Sequence, residues 1–255
     1  TPYNGPAVNG NTNPVILSGT DDYGESWERN GFGSQTSTPT LFYQSGIFYL
    51  FYGEEVSDVN QGKIGLATFT WNNETNSIVS LIRDAGNPII DLPADANFKA
   101  GGGHIDVSKN QGSNTYRIYI VRELLNSDNF ELGLVTSSSL TSGWTNQGKA
   151  IERGATGQWD ETHIYRSCPV VYSSGEIVLS GSTIRMYYRA FNSLNIPGIG
   201  IADLSGGSVV KFSGTGPIAM PADIAHQGLM GVRYGDKIHL FYKSFHYEYD
   251  PVTDT

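Results

Sequence analysis

The sequence predicts an all-β fold, a β-propeller of four-stranded antiparallel blades, on three observations. The first is composition. In 255 residues there are 31 glycines and 15 tyrosines, only 16% of residues are charged, and no long alanine- or leucine-rich stretch occurs, a balance that favours strands and turns. The second is an internal repeat. The third is that the repeat resumes across the two ends of the chain.

Each repeat opens with a short apolar strand, turns at a glycine and continues into a strand rich in Tyr and Phe. The first copy runs from Thr38 to Tyr43, turns at Ser45-Gly46 and continues from Phe48 to Tyr52. The second is His104–Val107, a turn around Gly112, then Tyr116–Val121. The third is Cys168–Tyr172 and, after Gly181, Ile184–Tyr188; the fourth is Gly228–Val232, a turn at Gly235-Asp236, then Ile238–Tyr242. Three copies add a third strand holding a glycine, at Ile64–Thr68, Leu132–Thr136 and Ile199–Asp203. A strand glycine marks close backbone approach or a bend. A fourth, outer strand carries a shared phrase, Gly86-Asn87-Pro88-Ile89-Ile90 in one copy and Gly216-Pro217-Ile218-Ala219 in another. A lone twisted sheet of this kind cannot bury both faces, so it packs on its neighbours around an axis.

Start positions 38, 104, 166 and 227 are spaced by 66, 62 and 61 residues. The 29 residues from 227 onward and the 37 ahead of 38 together match one period, and Asn13-Pro14-Val15-Ile16 repeats the outer-strand phrase. The N-terminal strand is therefore expected to complete the last blade of a single domain, 1–255, and close the ring. The start strands count four blades, and five stays open. A β-sandwich would explain short strands but not a repeat that resumes across the termini.

Charge and cysteine content narrow the function. A net charge of −9 with no basic stripe argues against a nucleic-acid partner. No apolar run approaches about 18 residues, so no membrane-spanning helix is expected. The single cysteine, Cys168, excludes an internal disulfide framework and a Cys-rich metal site. The chain begins at Thr1 and carries the sequon Asn73-Glu74-Thr75, which fits an extracellular, processed protein or a fragment.

Three phrases resemble the five-bladed propellers of glycoside hydrolase family 43 and its relatives, including family 32. These are Gly157-Gln158-Trp159-Asp160-Glu161 leading into Cys168-Pro169-Val170-Val171-Tyr172, Ile105-Asp106-Val107 before a Gly turn, and His226-Gln227-Gly228 before Leu240-Phe241-Tyr242. The resemblance runs from about Asn13 to Asp250. The segment Thr20–Trp27 also fits a sialidase-type Asp box, whose Asp ties a turn; Trp27-Glu28 can equally match Trp159-Asp160 as a blade-to-blade linker. Both readings are structural.

The resemblance implies a glycan as partner, an axial pocket, and carboxylates at the starts of successive inner strands. Asp106 matches the aspartate that tunes the catalytic pair. Thr38 stands where the family places its base, and Arg166 or Ser167 where it places its acid. Glu54, Glu123, Glu161 and, beside it, Asp160 are then the substitute carboxylates for catalysis. The family's central histidine, which helps hold one Ca2+ or another small ion near the channel, maps to His226.

Other candidates come from position. His104, His163 and His226 all fall at or just before inner strands, with Arg166 among them. Gly53, Arg122, Arg189 and Lys243 share one register after the aromatic strand. A lone histidine or a blade-edge cation is commonly structural. Gathered, these residues read as substrate-binding groups and a cationic rim suited to a carboxylate or sulfate on a sugar. Two functions follow: a glycosidase using Asp106 with a non-standard partner, or a non-catalytic glycan-binding propeller that self-associates by terminal strand exchange. Two carboxyl groups facing each other at roughly 5–9.5 Å would favour the first.

Overall fold

The computed structural model describes residues 36–54, 62–99, 103–172, 174, 176–194, 196–205, 208–212, 217–218 and 224–246. The Asn13–Leu17 closing strand and the Thr20–Trp27 turn motif lie outside them. The described residues form strands only, arranged as a β-propeller.

Blade 1 comprises β1 (Thr36–Gln44), β2 (Ile47–Glu54), β3 (Gly62–Asn72), β4 (Ser77–Arg83) and β5 (Ile90–Leu92). Blade 2 comprises β6 (Gly103–Asn110), β7 (Tyr116–Glu123), β8 (Phe130–Ser137) and β9 (Thr145–Ile151). Blade 3 begins with β10 (His163–Pro169), interposes the short β11 (Val171–Tyr172), β12 (Glu176–Ile177) and β13 (Leu179–Ser180), and continues with β14 (Thr183–Phe191), β15 (Pro197–Ser205) and β16 (Ser208–Lys211). Blade 4 contributes β17 (Ile224–Tyr234) and β18 (Lys237–His246). Within each blade the long strands pair antiparallel in chain order.

The outer-strand expectation needs one adjustment. In blade 1 the outer edge of β3 is shared: Ala67–Asn72 pairs with β4, and Gly62–Ile64 pairs with β5. The Asn87-Pro88 phrase lies between these two partners, where the Asn87 side chain accepts from Leu66 N–H at 2.8 Å and donates to Leu66 C=O at 3.0 Å. Blade 3 repeats the device: β16 pairs with β15, and Ile218 N–H then donates to Ile199 C=O at 2.7 Å. The phrase is thus a second, lower tie on the same edge. The outer strand proper precedes it.

Apolar residues packed between blades hold the ring. Phe42, Phe51, Ile64 and Leu66 of blade 1 meet Ile105, Ile118 and Ile120 of blade 2. Tyr119, Val121 and Leu132 of blade 2 meet Ile164, Met186 and Tyr188 of blade 3. Cys168, Tyr187 and Ile199 of blade 3 meet Leu240 of blade 4. Burying such side chains is worth about 1.5–3 kcal/mol each.

The third-strand glycines make room for a second-strand side chain. A Cβ on Gly65 would sit 2.5 Å from Tyr52 Cζ, and one on Gly200 would sit 2.5 Å from Tyr188 Cζ and 2.7 Å from Trp159 Cζ2. In blade 2 the corresponding space over Gly133 is filled by Arg122, whose Cδ would be 3.0 Å from that Cβ.

Candidate functional site

The four described inner strands carry the same irregularity near their starts. The register shifts by one extra residue between Ser37 and Thr40 in β1, Gly103 and Ile105 in β6, Ile164 and Arg166 in β10, and Gln227 and Leu229 in β17. A β-bulge bends a strand and re-aims its side chains, and bulges concentrate at barrel rims and beside active sites. Four at one level define one end of the propeller as special. The extra residue is His104 in β6, with φ at 26°, and Tyr165 in β10. A non-glycine residue at such a φ is strained, and strain of this kind gathers at functional sites.

Farther along the same strands lies a cavity of about 320 Å3. Its walls come from the inner strand of each described blade, including Leu41 and Tyr43 of β1, Asp106 of β6, Cys168 of β10 and Met230 of β17, with Tyr172 of β11 beside them. Among the described lining residues Asp106 is the one carboxylate. Ser167 Oγ donates to Asp106 Oδ2 at 3.0 Å. Burial pushes the Asp106 carboxyl up to about 7, against the Ser167 hydrogen bond and the charge of Arg166. Asp106 is therefore poised to hold or release a proton near neutral pH. Cys168 packs beside it, its Sγ accepting from Gly231 N–H at 2.6 Å, and burial drives that thiol's pKa far up.

At the bulged end, Arg166 and Arg189 are direct cross-strand partners on β10 and β14. The Arg189 guanidinium lies over the Phe191 ring at 4.5 Å. Burial, with Arg166 and Arg189 adding to it, pushes His104 down to about 4, so its imidazole is neutral at neutral pH. His104 Nδ1 and His163 Nδ1 are buried and have no hydrogen-bond partner among the described residues. Around them stands an aromatic group. Tyr165 lies 5.2 Å from Phe130, 5.5 Å from Phe191, 5.7 Å from His163 and 6.1 Å from His104, ring centre to ring centre.

The structure thus places Arg166 within electrostatic reach of both Asp106 and His104, and Arg189 within reach of His104, with His163 in the adjoining aromatic group. It gives other candidates different work. Arg122, expected on the cationic rim, is 1% exposed. Its guanidinium donates to Asp95 Oδ2 at 2.7 Å, Pro93 C=O at 3.0 Å and Lys99 C=O at 3.1 Å, and rests 4.6 Å from the Phe98 ring centre. It clamps the linker into blade 2 and has no free face for a substrate. Burial pushes the Asp95 carboxyl up, but hydrogen bonds from Asn97 N–H, Asn146, Arg122 and Phe98 N–H outweigh it and hold it at about 2.

Asp160 is the same device in the next linker. It accepts from Tyr188 Oη at 3.0 Å and Lys211 Nζ at 2.7 Å, and is 2% exposed. Glu161 accepts from Gly157 N–H at 2.5 Å and Ser193 N–H at 3.0 Å; the bonds from Ser193 and Gly157 hold its carboxyl below the usual range. Glu123 is paired with Lys99 Nζ at 2.6 Å. Both glutamates shape loops and do not line the cavity. The side chains of Glu54, Lys243 and His226 lie outside the described residues. Their backbones are in β2, β18 and β17, at the bulged end in each case. Among the described residues no group of three His, Cys, Asp or Glu could hold a metal ion. Ca2+ takes six to eight oxygen ligands, and the His226 side chain that the resemblance places beside such an ion lies outside the described residues.

Tyr165, Phe130 and Phe191 are additions that sequence reasoning did not single out. Their aromatic character was visible, but the bulge that turns Tyr165 toward His104 leaves no composition signal.

No family model matches the chain, and no curated protein matches it at a significant level. Solved structures do. Zg3597, a family 117 glycoside hydrolase of the marine bacterium Zobellia galactanivorans, matches with a TM-score of 0.50 and 16% identity over 82% of this chain and 66% of its own. β-1,2-Mannobiose phosphorylase of Listeria innocua, in complex with β-1,2-mannobiose, matches with a TM-score of 0.54 and 13% identity over 81% of this chain and 54% of its own. A thermostable family-43 glycoside hydrolase matches with a TM-score of 0.50 and 14% identity over 83% of this chain and 64% of its own. The chain spans between about half and two thirds of the length of these structures. At such identities the likeness speaks for the fold, and the protein is a β-propeller of the architecture found in family 43 and family 117 glycoside hydrolases.

Proposed function

We propose that this propeller is carbohydrate-active and takes a glycan into its axial cavity, with Asp106 as the polar anchor. The observation that carries this reading is the position of Asp106: among the described residues it is the one carboxyl in a cavity walled by the four described inner strands, directly beside the level where each of them bulges. A few convergent polar groups in a mainly apolar concavity are what a small-molecule site requires. Tyr165, Phe130 and Phe191 offer ring faces against which a sugar's C–H surface can pack.

Binding leads over hydrolysis because hydrolysis needs two carboxyls across the sugar, and Asp106 is alone among the described cavity residues. One observation favours hydrolysis as the second reading. A carboxyl near 7 is still substantially protonated at neutral pH, the state of a general acid that protonates a leaving oxygen. Glu54 is then the partner to test, since its backbone pairs with Thr36 at the bulged end of β1. A panel of oligosaccharides titrated calorimetrically into the protein, with released reducing ends assayed in parallel, separates the two. Saccharide binding lost in Asp106→Asn supports the site. Turnover that is also lost in Glu54→Gln supports hydrolysis. No binding and no turnover across the panel overturns the reading.

A further inference from the structure

We propose that Arg166 and Arg189, with His104 beside them, form an anion subsite at the bulged end of the channel that takes the carboxylate or sulfate of an acidic saccharide. The starting point is the register. Arg166 and Arg189 stand directly opposite each other on β10 and β14, so their side chains leave the sheet on the same face. Like charges in that relation repel and destabilise a strand pair. A fold accepts such a pair without cost when an anion lies between or above the two.

Among the described residues only Asp106 offers Arg166 any negative charge, and only in part. Arg166 has no hydrogen-bond or ion-pair partner among the described residues. Among the described residues Asp106 is the carboxyl whose field reaches it, yet Asp106 is bonded to Ser167 and, with its carboxyl near 7, is only about half ionised at pH 7. Arg189 is already fixed in orientation, its guanidinium stacked on Phe191, which lowers the entropy lost on capturing a ligand. His104 stays neutral beside the two arginines and keeps a buried Nδ1 without a partner. A neutral imidazole with an idle ring nitrogen can bond a hydroxyl next to the anionic group. Two guanidinium forks match the planar oxygens of a carboxylate or the oxygens of a sulfate. The aromatic group around Tyr165 lies against His104 and provides the apolar surface that a free ion would not need. That last point selects an acidic saccharide.

The saccharide part of this assignment rests on the proposed glycan reading, and the anion part stands without it. The test uses the full chain at pH 7 and constant ionic strength. Calorimetric titrations compare an oligouronide with its carboxyl-reduced neutral counterpart, a sulfated oligosaccharide with its desulfated form, and inorganic sulfate alone. Arg166→Gln, Arg166→Lys and Arg189→Gln are measured beside Arg233→Gln, which removes the same charge from β17 away from the bulged end. Circular dichroism melts establish that each variant is folded.

The expected result is that one of the two acidic forms binds at least tenfold tighter than its neutral counterpart, and the uronide and sulfate arms tell which. That preference falls to below threefold in Arg166→Gln and Arg189→Gln, recovers partly in Arg166→Lys and persists in Arg233→Gln. Acidic and neutral forms binding equally to the wild type would overturn the subsite while leaving the glycan reading intact. Inorganic sulfate binding that depends on Arg166, with no saccharide binding at all, would sustain the anion site and sink the glycan reading. A preference that survives both Arg166→Gln and Arg189→Gln places the anion elsewhere and overturns the assignment.

Discussion

Arg122 and Arg166 are both arginines on the strands of adjacent blades, and their surroundings could hardly differ more. Arg122 is fully buried, its guanidinium divided among a carboxylate and two carbonyls, with a ring beneath it. Arg166 is half-buried, faces another arginine in register and has no acceptor among the described residues. The first is an arginine whose every requirement the chain meets. The second is one whose requirement the chain leaves unmet, at the end of the channel where all four inner strands bulge. The difference teaches that charge alone does not mark a site; the balance of charge against partners does.

The comparison breaks most visibly at Arg122's side. Asp95→Ala leaves a buried guanidinium without its counter-charge, and stability is expected to fall by about 3 kcal/mol or more. Urea denaturation followed by tryptophan fluorescence measures it, and a loss below about 1 kcal/mol would mean the clamp is dispensable. Gly200→Ala probes the neighbouring clamp. Its Cβ would drive into Tyr188 and Trp159, for an expected loss of about 1–3 kcal/mol, read in the same way; an unchanged midpoint would show that the two rings yield.

On the other side, Asp106→Asn keeps the shape of the cavity wall and removes the titration. Glycan affinity is expected to drop about tenfold, or about 1.4 kcal/mol. A stability profile against pH adds a second readout. The folded pKa of Asp106 is raised, so the folded state binds the proton more tightly than the unfolded chain does. Its contribution is full below about 4 and disappears as pH rises through about 7. The Asn variant should lack that slope; an identical slope would remove Asp106 as its source. Arg166→Gln, by contrast with Asp95→Ala, is expected to cost less than about 1 kcal/mol or to stabilise the unliganded protein, because it relieves a like-charge pair. A loss as large as that of Asp95→Ala would erase the contrast between the two arginines. The smallest effect concerns Cys168. Its thiol is buried and its pKa is far above the usual value, so iodoacetamide at neutral pH should leave the native protein unmodified and label it only in denaturant. Rapid labelling of the native state would contradict the packing of the cavity wall.

Much of the fold was legible because a propeller writes itself repeatedly. The glycine of each inner hairpin, at Gly46, Gly112, Gly181 and Gly235, turns with a positive φ, and the third-strand glycines Gly65 and Gly200 sit under the second-strand tyrosines Tyr52 and Tyr188. The site was legible in part. Asp106, His104 and Arg166 could be placed because inner strands line the axis and their starts could be counted. Arg122 was misjudged for a physical reason. Its partner Asp95 is 27 residues away in a linker, and no local pattern tells a solvated strand-end arginine from one that a distant carboxylate has drawn inward. Glu123 and Glu161 failed likewise, each satisfied by groups that only the folded chain brings near.

The blades are not joined alike. Short parallel ladders tie β10 to β8, β12 to β6 and β11 to β17, so that blades 2, 3 and 4 share one continuous hydrogen-bonded sheet. Blade 1 forms a sheet of its own. It meets blade 2 through side chains such as Phe42 against Tyr116 and the hydrogen bond from Tyr116 Oη to Gln44. Among the described residues the β1–β6 junction is thus held by an apolar cluster rather than laced by a ladder: blade 1 leans on its neighbour as a dry-stone wall does, by the fit of its faces, and each large side chain there is a stone whose removal the next strand cannot bridge.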